Sequence, residues 1–185
     1  MHRNSLLALL CQYRTRYMEE AAMVERTIAF IQQHENCFDR QLHAGHVTGS
    51  SWVVNPARSH TLLLHHRKLD RWLQPGGHAD GDPDMLRVVL KETAEETGIP
   101  LEQIHLVNDD LFDVDIHTIH PSPHDHRHVH FDIRFLVEID DRIPLPGNNE
   151  SFDVRWVPLH EVTHYNNALS LLRMVNKTRA LRGRP

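Results

Sequence analysis

A chain of 185 residues, 40% of them hydrophobic, is long enough to bury a core of its own and suits one domain of ordinary size with room for an appended element. Its 20 basic residues against 25 acidic ones give a formal net charge of −5, which leaves no broad cationic surface for a nucleic-acid polymer or an anionic membrane. A polyanionic substrate would therefore need bound cations to offset the protein's own charge.

Taken in chain order, the run Leu6 to Leu10 is too short to span a bilayer and is followed by Gln12, Arg14 and Arg16 with no small-residue cleavage site. It reads as neither a signal peptide nor a membrane anchor. Cys11 and Cys37 have no metal-ligand spacing and read as reduced thiols, so the expected location is cytoplasmic. From Ser5 to His34 the residues Leu9, Leu10, Tyr13, Tyr17, Ala21, Val24, Ile28 and Ile31 recur every three or four positions, the spacing of one amphipathic helix or two in series. This segment, free of Gly and Pro, can cap a sheet or make a homodimer contact.

Asn36 to Gly45 reads as a connection, Val47 to Val54 as a strand ended by Asn55-Pro56, and Thr61 to His66 as a second strand before a Gln74-Pro75-Gly76-Gly77 turn. A helix follows, with Asp82 as N-cap, Pro83 at the first helical position and Gly98 as the stop. Ile104 to Val107, Leu111 to Thr118, Val129 to Ile139 and Phe152 to Val157 read as strands, and Asn167 to Leu181 as a final helix. Helices before, within and after a run of strands suggest an α/β sheet covered on both faces.

The chemistry-bearing segment is the helix before Gly98. At about 100° per residue, Glu92, Glu95 and Glu96 share one arc, while Leu86, Val89, Leu90, Thr93 and Thr97 fill the neighbouring one. A Glu-x-x-Glu-Glu pattern is commonly just a solvated helix face. Here the three like charges have no Lys or Arg four residues further on, and they lie near the negative end of the helix dipole. A divalent cation removes both penalties, and Mg²⁺ accepts carboxylate, water and phosphate oxygens.

The segment Gly77 to Ile99 resembles the Nudix box, G-x5-E-x7-R-E-U-x-E-E-x-G-U with U aliphatic. Its register closes from Gly77 through Glu92-Thr93-Ala94-Glu95-Glu96-Thr97-Gly98-Ile99, and with the Arg155-Trp156-Val157-Pro158-Leu159 segment the similarity extends over roughly residues 45 to 165. Three positions depart: Pro83 stands for the first glutamate, Lys91 for the arginine and Thr93 for the first aliphatic residue. Asp80, Asp82 or Asp84 can supply the lost negative charge to Lys91, or serve as turn and capping residues.

The resemblance implies an α/β/α sandwich of the Nudix type with a mixed sheet over residues 41–185, preceded by a helical extension over residues 1–40. It implies a Mg²⁺-dependent hydrolase, with Mn²⁺ as an alternative metal, that cleaves a diphosphate linkage in a small molecule, a nucleoside diphosphate joined to another moiety. Glu92, Glu95 and Glu96 would hold the metal with the carbonyl of Gly76. Either Glu92 or Glu96 would take a proton from the attacking water, and Glu150 or Asp153 would add a later-loop carboxylate. Two rivals are a non-catalytic Nudix-like ligand-binding protein and, less well matched, a prenyl diphosphate isomerase, whose chemistry needs a cysteine near the site.

The chain holds 17 histidines, and His117, His120, His124, His126, His128 and His130 crowd together. On a strand, His126, His128, His130 and Asp132 share one face, and Val129, Phe131, Ile133 and Phe135 the other. Three readings stay open: a polar strand face under a loop; contacts from these histidines and Arg127 or Arg134 to substrate; or a site for a transition metal such as Zn²⁺, Mn²⁺ or Ni²⁺ that His78 and Asp80 approach. Trp52, Trp72 and Trp156 read as core or rim aromatics, and Arg67, Lys68 and Arg71 as a solvated strand end or a phosphate contact.

Overall fold

A computed structural model gives the fold and describes residues 2–121 and 126–182. His124 and residues 183–185, part of the C-terminal Arg-Gly-Arg-Pro tail, lie outside the described residues. Helices α1 (Asn4–Gln12) and α2 (Met18–Gln33) precede strands β1 (His46–Val54), β2 (His60–His66), β3 (Arg71–Leu73) and β4 (Gly76–His78). Then come α3 (Met85–Thr97), a 3₁₀ turn (Leu101–Gln103), β5 (His105–Ile119), β6 (His128–Glu138), β7 (Ser151–Pro158), α4 (Val162–Tyr165) and α5 (Leu169–Arg182). The strands form one seven-stranded sheet in the order β3-β2-β1-β6-β5, with β4 also paired to β1 and β7 to β2.

The element pattern matches the α/β reading, and four local differences have identifiable causes. The expected Gly-Gly turn is instead β4, a short strand that pairs with β1, and β3 before it was not foreseen. The two strands expected on either side of Asn108-Asp109-Asp110 are one strand, β5. It sits at the end of the sheet order, so those polar side chains remain exposed without interrupting pairing. The N-cap of α3 is Asp84 rather than Asp82: its Oδ1 accepts the Arg87 N–H at 3.1 Å. Asp82 is committed to the Arg87 guanidinium at 2.6 and 2.8 Å.

Two compact units divide the chain. The first comprises Met1–Ser50, Gly77–Val89 and Asp109–Phe135. Within it α1 buries Leu6 and Leu10, and α2 buries Val24, Thr27, Phe30 and Ile31, with the Phe30 ring stacked on Phe131 at 4.0 Å. Glu20, fully buried on α2, is satisfied by the Val114 N–H at 3.1 Å, by the Tyr13 hydroxyl at 2.8 Å and by Thr15 Oγ1. A charge on that face is tolerable only because those donors surround it.

The same unit holds a buried ion cluster. The Arg134 guanidinium donates to Asp132 at 2.7 Å and to Asp113 and Asp115 at 3.2 Å each, with its side chain 3% exposed. Asp132 also accepts from Thr48 at 3.0 Å and Ser50 at 2.8 Å. Those bonds explain how β1 can be buried along its whole length while carrying hydroxyl residues. Burial alone would push Arg134 down; the surrounding Asp132, Asp115 and Asp113 outweigh it and hold the guanidinium charged above its ordinary range.

The second unit comprises Ser51–Gly76, Leu90–Asn108 and Leu136–Pro185. Its core joins Val53, Leu62, Ile99, Ile104, Val137 and Ile139, against which Leu90 and Ala94 of α3 pack. β2 is central there, antiparallel to β3 (Leu64 opposite Leu73) and to β7 (Leu62 opposite Trp156). Trp52, fully buried, donates its indole N–H to Thr178 of α5 at 2.8 Å.

Candidate active site and a histidine cluster

The second unit carries the glutamates. Leu90 and Ala94 turn one face of α3 onto the core, and the opposite arc presents Glu92, Glu95 and Glu96. They occupy three different environments. Glu95 is exposed and pairs with Lys91 across 3.5 Å. Glu92 is half-buried, and Glu96 is 6% exposed, its Oε2 accepting the Gly76 N–H at 2.8 Å. Burial pushes the Glu96 carboxyl up to about 8; the Gly76 amide pulls it back in part, while the charges of Glu92, Glu150 and Glu95 add to the rise.

The loop after β6 completes this surroundings. Gly147 N–H donates to the Thr97 carbonyl at 2.9 Å, Asn148 donates to the Glu95 carbonyl at 3.0 Å, and the Glu150 N–H returns to Asn148 at 2.8 Å. This cap on the end of α3 brings Glu150 close enough for its charge to act on Glu96. Asp153, the other later-loop candidate, is instead paired with Arg155, which lies over the Trp72 ring at 4.9 Å. Sequence spacing could not separate the two, because the fold of the loop sets which carboxylate's charge is felt at Glu96.

The three departures from the box have local answers. Thr93 is fully buried and donates to Ser51 Oγ at 2.8 Å, so a polar pair replaces an aliphatic contact. Lys91 takes Glu95 as its partner, and none of the three proposed aspartates serves it: Asp80 pairs with Arg40, Asp82 with Arg87, and Asp84 caps the helix. Pro83 precedes the helix. Arg67 donates to the Ser151 carbonyl at 2.9 Å and lies over Phe152 at 4.6 Å, which accounts for it without a phosphate.

The histidine-rich strand face divides differently from its sequence pattern. Asp132 faces Arg134, Thr48 and Ser50, and Arg134 itself is enclosed. His126 is exposed, its ring 4.3 Å from that of His43. His128 donates Nδ1–H to the His126 carbonyl at 2.8 Å, and its Nε2 lies 2.9 Å from His130 Nε2. The convergent group is His46, His78 and His130: one ring nitrogen of each lies within 4.8 Å of the other two. His46 was not foreseen, since it opens β1, far along the chain from the histidine run that begins at His117, and only sheet pairing brings it there. Burial pushes His130 down to about 2, with His117, His46, His78 and His128 adding to the fall.

Among the described residues no helix is long and apolar enough to cross a membrane. Cys11 and Cys37 are free thiols, and burial pushes the Cys37 thiol up to about 11.

A comparison with curated protein sequences gives no match. Among solved structures, the fold is similar to a Caenorhabditis elegans Ap4A hydrolase in a binary complex, at a TM-score of 0.59 and 17% identity over 73% of this chain and 96% of that one. It is also similar to the Escherichia coli dihydroneopterin triphosphate pyrophosphohydrolase, at 0.58 and 15% over 71% and 92%. The NUDIX domain of Shewanella oneidensis NrtR complexed with ADP ribose matches at 0.53 and 17% over 83% and 96%. The family model of the NUDIX domain matches residues 46–176, most of the chain and the whole span of the glutamate helix; the protein belongs to this family of pyrophosphohydrolases acting on acid anhydrides.

Proposed function

We propose that the protein hydrolyses a diphosphate linkage in a small molecule, a nucleoside diphosphate joined to another moiety, with Mg²⁺ or Mn²⁺ held by Glu92, Glu95, Glu96 and the carbonyl of Gly76. The observation that carries the reading is Glu96, a buried carboxyl raised to about 8 beside the charges of Glu92, Glu150 and Glu95. Such a group is satisfied either by a proton or by a cation, and hard oxygen donors at this density fit a divalent metal. When bound, the metal would screen phosphate oxygens and acidify a water for attack on phosphorus.

The protein's own residues supply the rest. The Gly76 amide fixes Glu96 in one rotamer, and Asn148 holds the following loop so that Glu150 stays near the cluster. Glu92 or Glu96 takes the water's proton. The likeness to structures described as Ap4A hydrolase, dihydroneopterin triphosphate pyrophosphohydrolase and an ADP-ribose complex supports a nucleotide-like diphosphate as the substrate class. The free thiols support a cytoplasmic location.

The test is formation of the two phosphate-ended products, separated by chromatography or read as inorganic phosphate after a phosphatase is added, from a panel of dinucleotides, nucleotide sugars and ADP-ribose-like compounds with Mg²⁺ and with Mn²⁺. Replacing Glu95→Gln and Glu96→Gln together is expected to lower turnover by roughly 10²–10³-fold or more. Undiminished turnover in a folded double variant would end the assignment.

A further inference from the structure

We infer that His46, His78 and His130 form a second metal site, one for an imidazole-preferring divalent transition ion of which Zn²⁺ is the natural probe. The three residues lie on three different strands, and the sheet order explains their meeting: β1 pairs with β4 on one side and neighbours β6 on the other. His46 opens β1, His78 closes β4 and His130 lies near the start of β6. Ring centroids are 5.0 Å apart for His46 and His78, 4.7 Å for His46 and His130, and 5.3 Å for His78 and His130.

Gly45 sets this approach. Its φ of +134° and the position of an added Cβ, 2.3 Å from the Val129 carbonyl oxygen, show that the chain entering β1 is pressed against β6 one residue before each histidine. Any side chain at position 45 would force the two strands apart at the point where His46 and His130 meet.

The donor chemistry decides which ion fits. Neutral imidazole carries a lone pair on one nitrogen, the form in which a histidine ligates a metal. Three nitrogen donors do not suit Mg²⁺, which takes oxygen, but they match Zn²⁺ and its neighbours in the first transition row. Zinc–nitrogen bonds of about 2.0–2.1 Å at tetrahedral angles place ligand nitrogens about 3.3 Å apart. The nitrogens now lie within 4.8 Å of one another, so side-chain rotation of the half-buried His78 and His130 toward His46 closes the site.

The surroundings are of the kind that orients metal ligands. His128 contacts His130 through its Nε2, and His117 packs edge-on to His130 at 5.3 Å with its Nδ1 3.4 Å from Asp115. Asp132 is taken up by Arg134, Thr48 and Ser50, and Asp80 by Arg40, so the ligand set consists of imidazoles. Three protein ligands leave at least one position for water or for an oxygen of a bound molecule, the arrangement of an open rather than a purely structural zinc site.

The site is independent of the glutamates, and the experiment separates them. Untagged full-length protein is stripped with a chelator, dialysed, and titrated with Zn²⁺ against a chromogenic zinc chelator, with Co²⁺ absorption as a spectroscopic check. One equivalent of Zn²⁺ per chain is expected, with Co²⁺ bands of a nitrogen-rich, low-coordination site. Because even outer-shell changes weaken metal sites 10–100-fold, His78→Ala and His130→Asn are each expected to weaken binding by at least about 100-fold. Both residues are half-buried, so these variants carry the test should His46→Ala fail to fold. The Glu95→Gln/Glu96→Gln protein and an exposed control, His105→Ala, are expected to keep the zinc equivalent. The inference falls if the wild type takes up no stoichiometric zinc, if folded His78→Ala and His130→Asn bind as tightly as wild type, or if the glutamate variant loses the ion.

Discussion

Arg134 offers the sharpest test of how the first unit is held together. Arg134→Met keeps much of the side-chain volume and deletes the guanidinium charge that Asp113, Asp115 and Asp132 share, whose side chains are 0%, 10% and 2% exposed. Removing one partner from a buried pair costs about 3–5 kcal/mol, because the other is left desolvated and uncompensated. The stranded carboxylates have one escape, taking up a proton. For an ordinary aspartic acid at pH 7 that costs about 4 kcal/mol per group, from roughly three pKa units at 1.36 kcal/mol each. The two routes agree on a loss of about 4–5 kcal/mol, a large share of the roughly 5–15 kcal/mol that stabilises a typical domain.

The pH dependence has a definite sign. In the variant, the stranded carboxyls have folded-state pKa values above their unfolded ones, so the folded variant binds more protons than its unfolded chain and gains relative stability as pH falls. Between pH 7 and pH 5 proton uptake becomes cheaper by about 2.7 kcal/mol per group, and the deficit against wild type shrinks by up to that amount. Urea unfolding followed by tryptophan fluorescence at both pH values, on wild type, Arg134→Met and Arg134→Lys, measures this. The lysine variant should fall between the others, since one ammonium keeps the charge but cannot reach three carboxylates as the guanidinium fork does. A deficit below about 1 kcal/mol for Arg134→Met, or one that does not shrink at pH 5, would refute the account.

Two further predictions concern α3. In the metal-free protein the Glu96 carboxyl, raised from 4.5 to about 8, makes the folded chain bind one proton more than the unfolded chain between those values. Stability then falls as pH rises from about 4.5 to about 8, by on the order of 5 kcal/mol at most, and Glu96→Gln flattens that slope in chemical unfolding at pH 5, 7 and 9. An identical slope in the variant would contradict the burial argument. Gly98 has φ +72°, and a Cβ there would meet Pro146 Cγ at 2.6 Å and the Gly147 carbonyl oxygen at 3.1 Å. Gly98→Ala is expected to cost about 2 kcal/mol and to lower Tm by roughly 4–8 °C in a thermal melt, whereas an unchanged Tm would show that the loop yields freely.

Local signals carried a good deal of this protein. The periodicity before Gln33, the Leu-rich Thr61–His66 run and the stop at Gly98 each depend on neighbours a few residues away, and the corresponding α2, β2 and the end of α3 follow. The glutamate triad was legible for the same reason, because helical spacing fixes which side chains share an arc before any packing is known. Boundaries set by competition between adjacent side chains were less legible. Asp82 and Asp84 are both good caps, and the choice went to Asp84 once Arg87 had claimed Asp82.

What local spacing settled, then, was the α/β class and the carboxylate helix, while the resemblance of Gly77 to Ile99 to the Nudix box pointed to the family that the domain match shows. Tertiary structure decided which of those carboxylates is buried, that Asp153 pairs with Arg155 while the Glu150 charge is felt at Glu96, and that His46 joins His78 and His130 while Asp132 goes to Arg134. These outcomes depend on strand order and on hydrogen bonds between residues far apart in the chain. A strand's period of two states which side chains share a face, and only its neighbours in the sheet determine what that face meets.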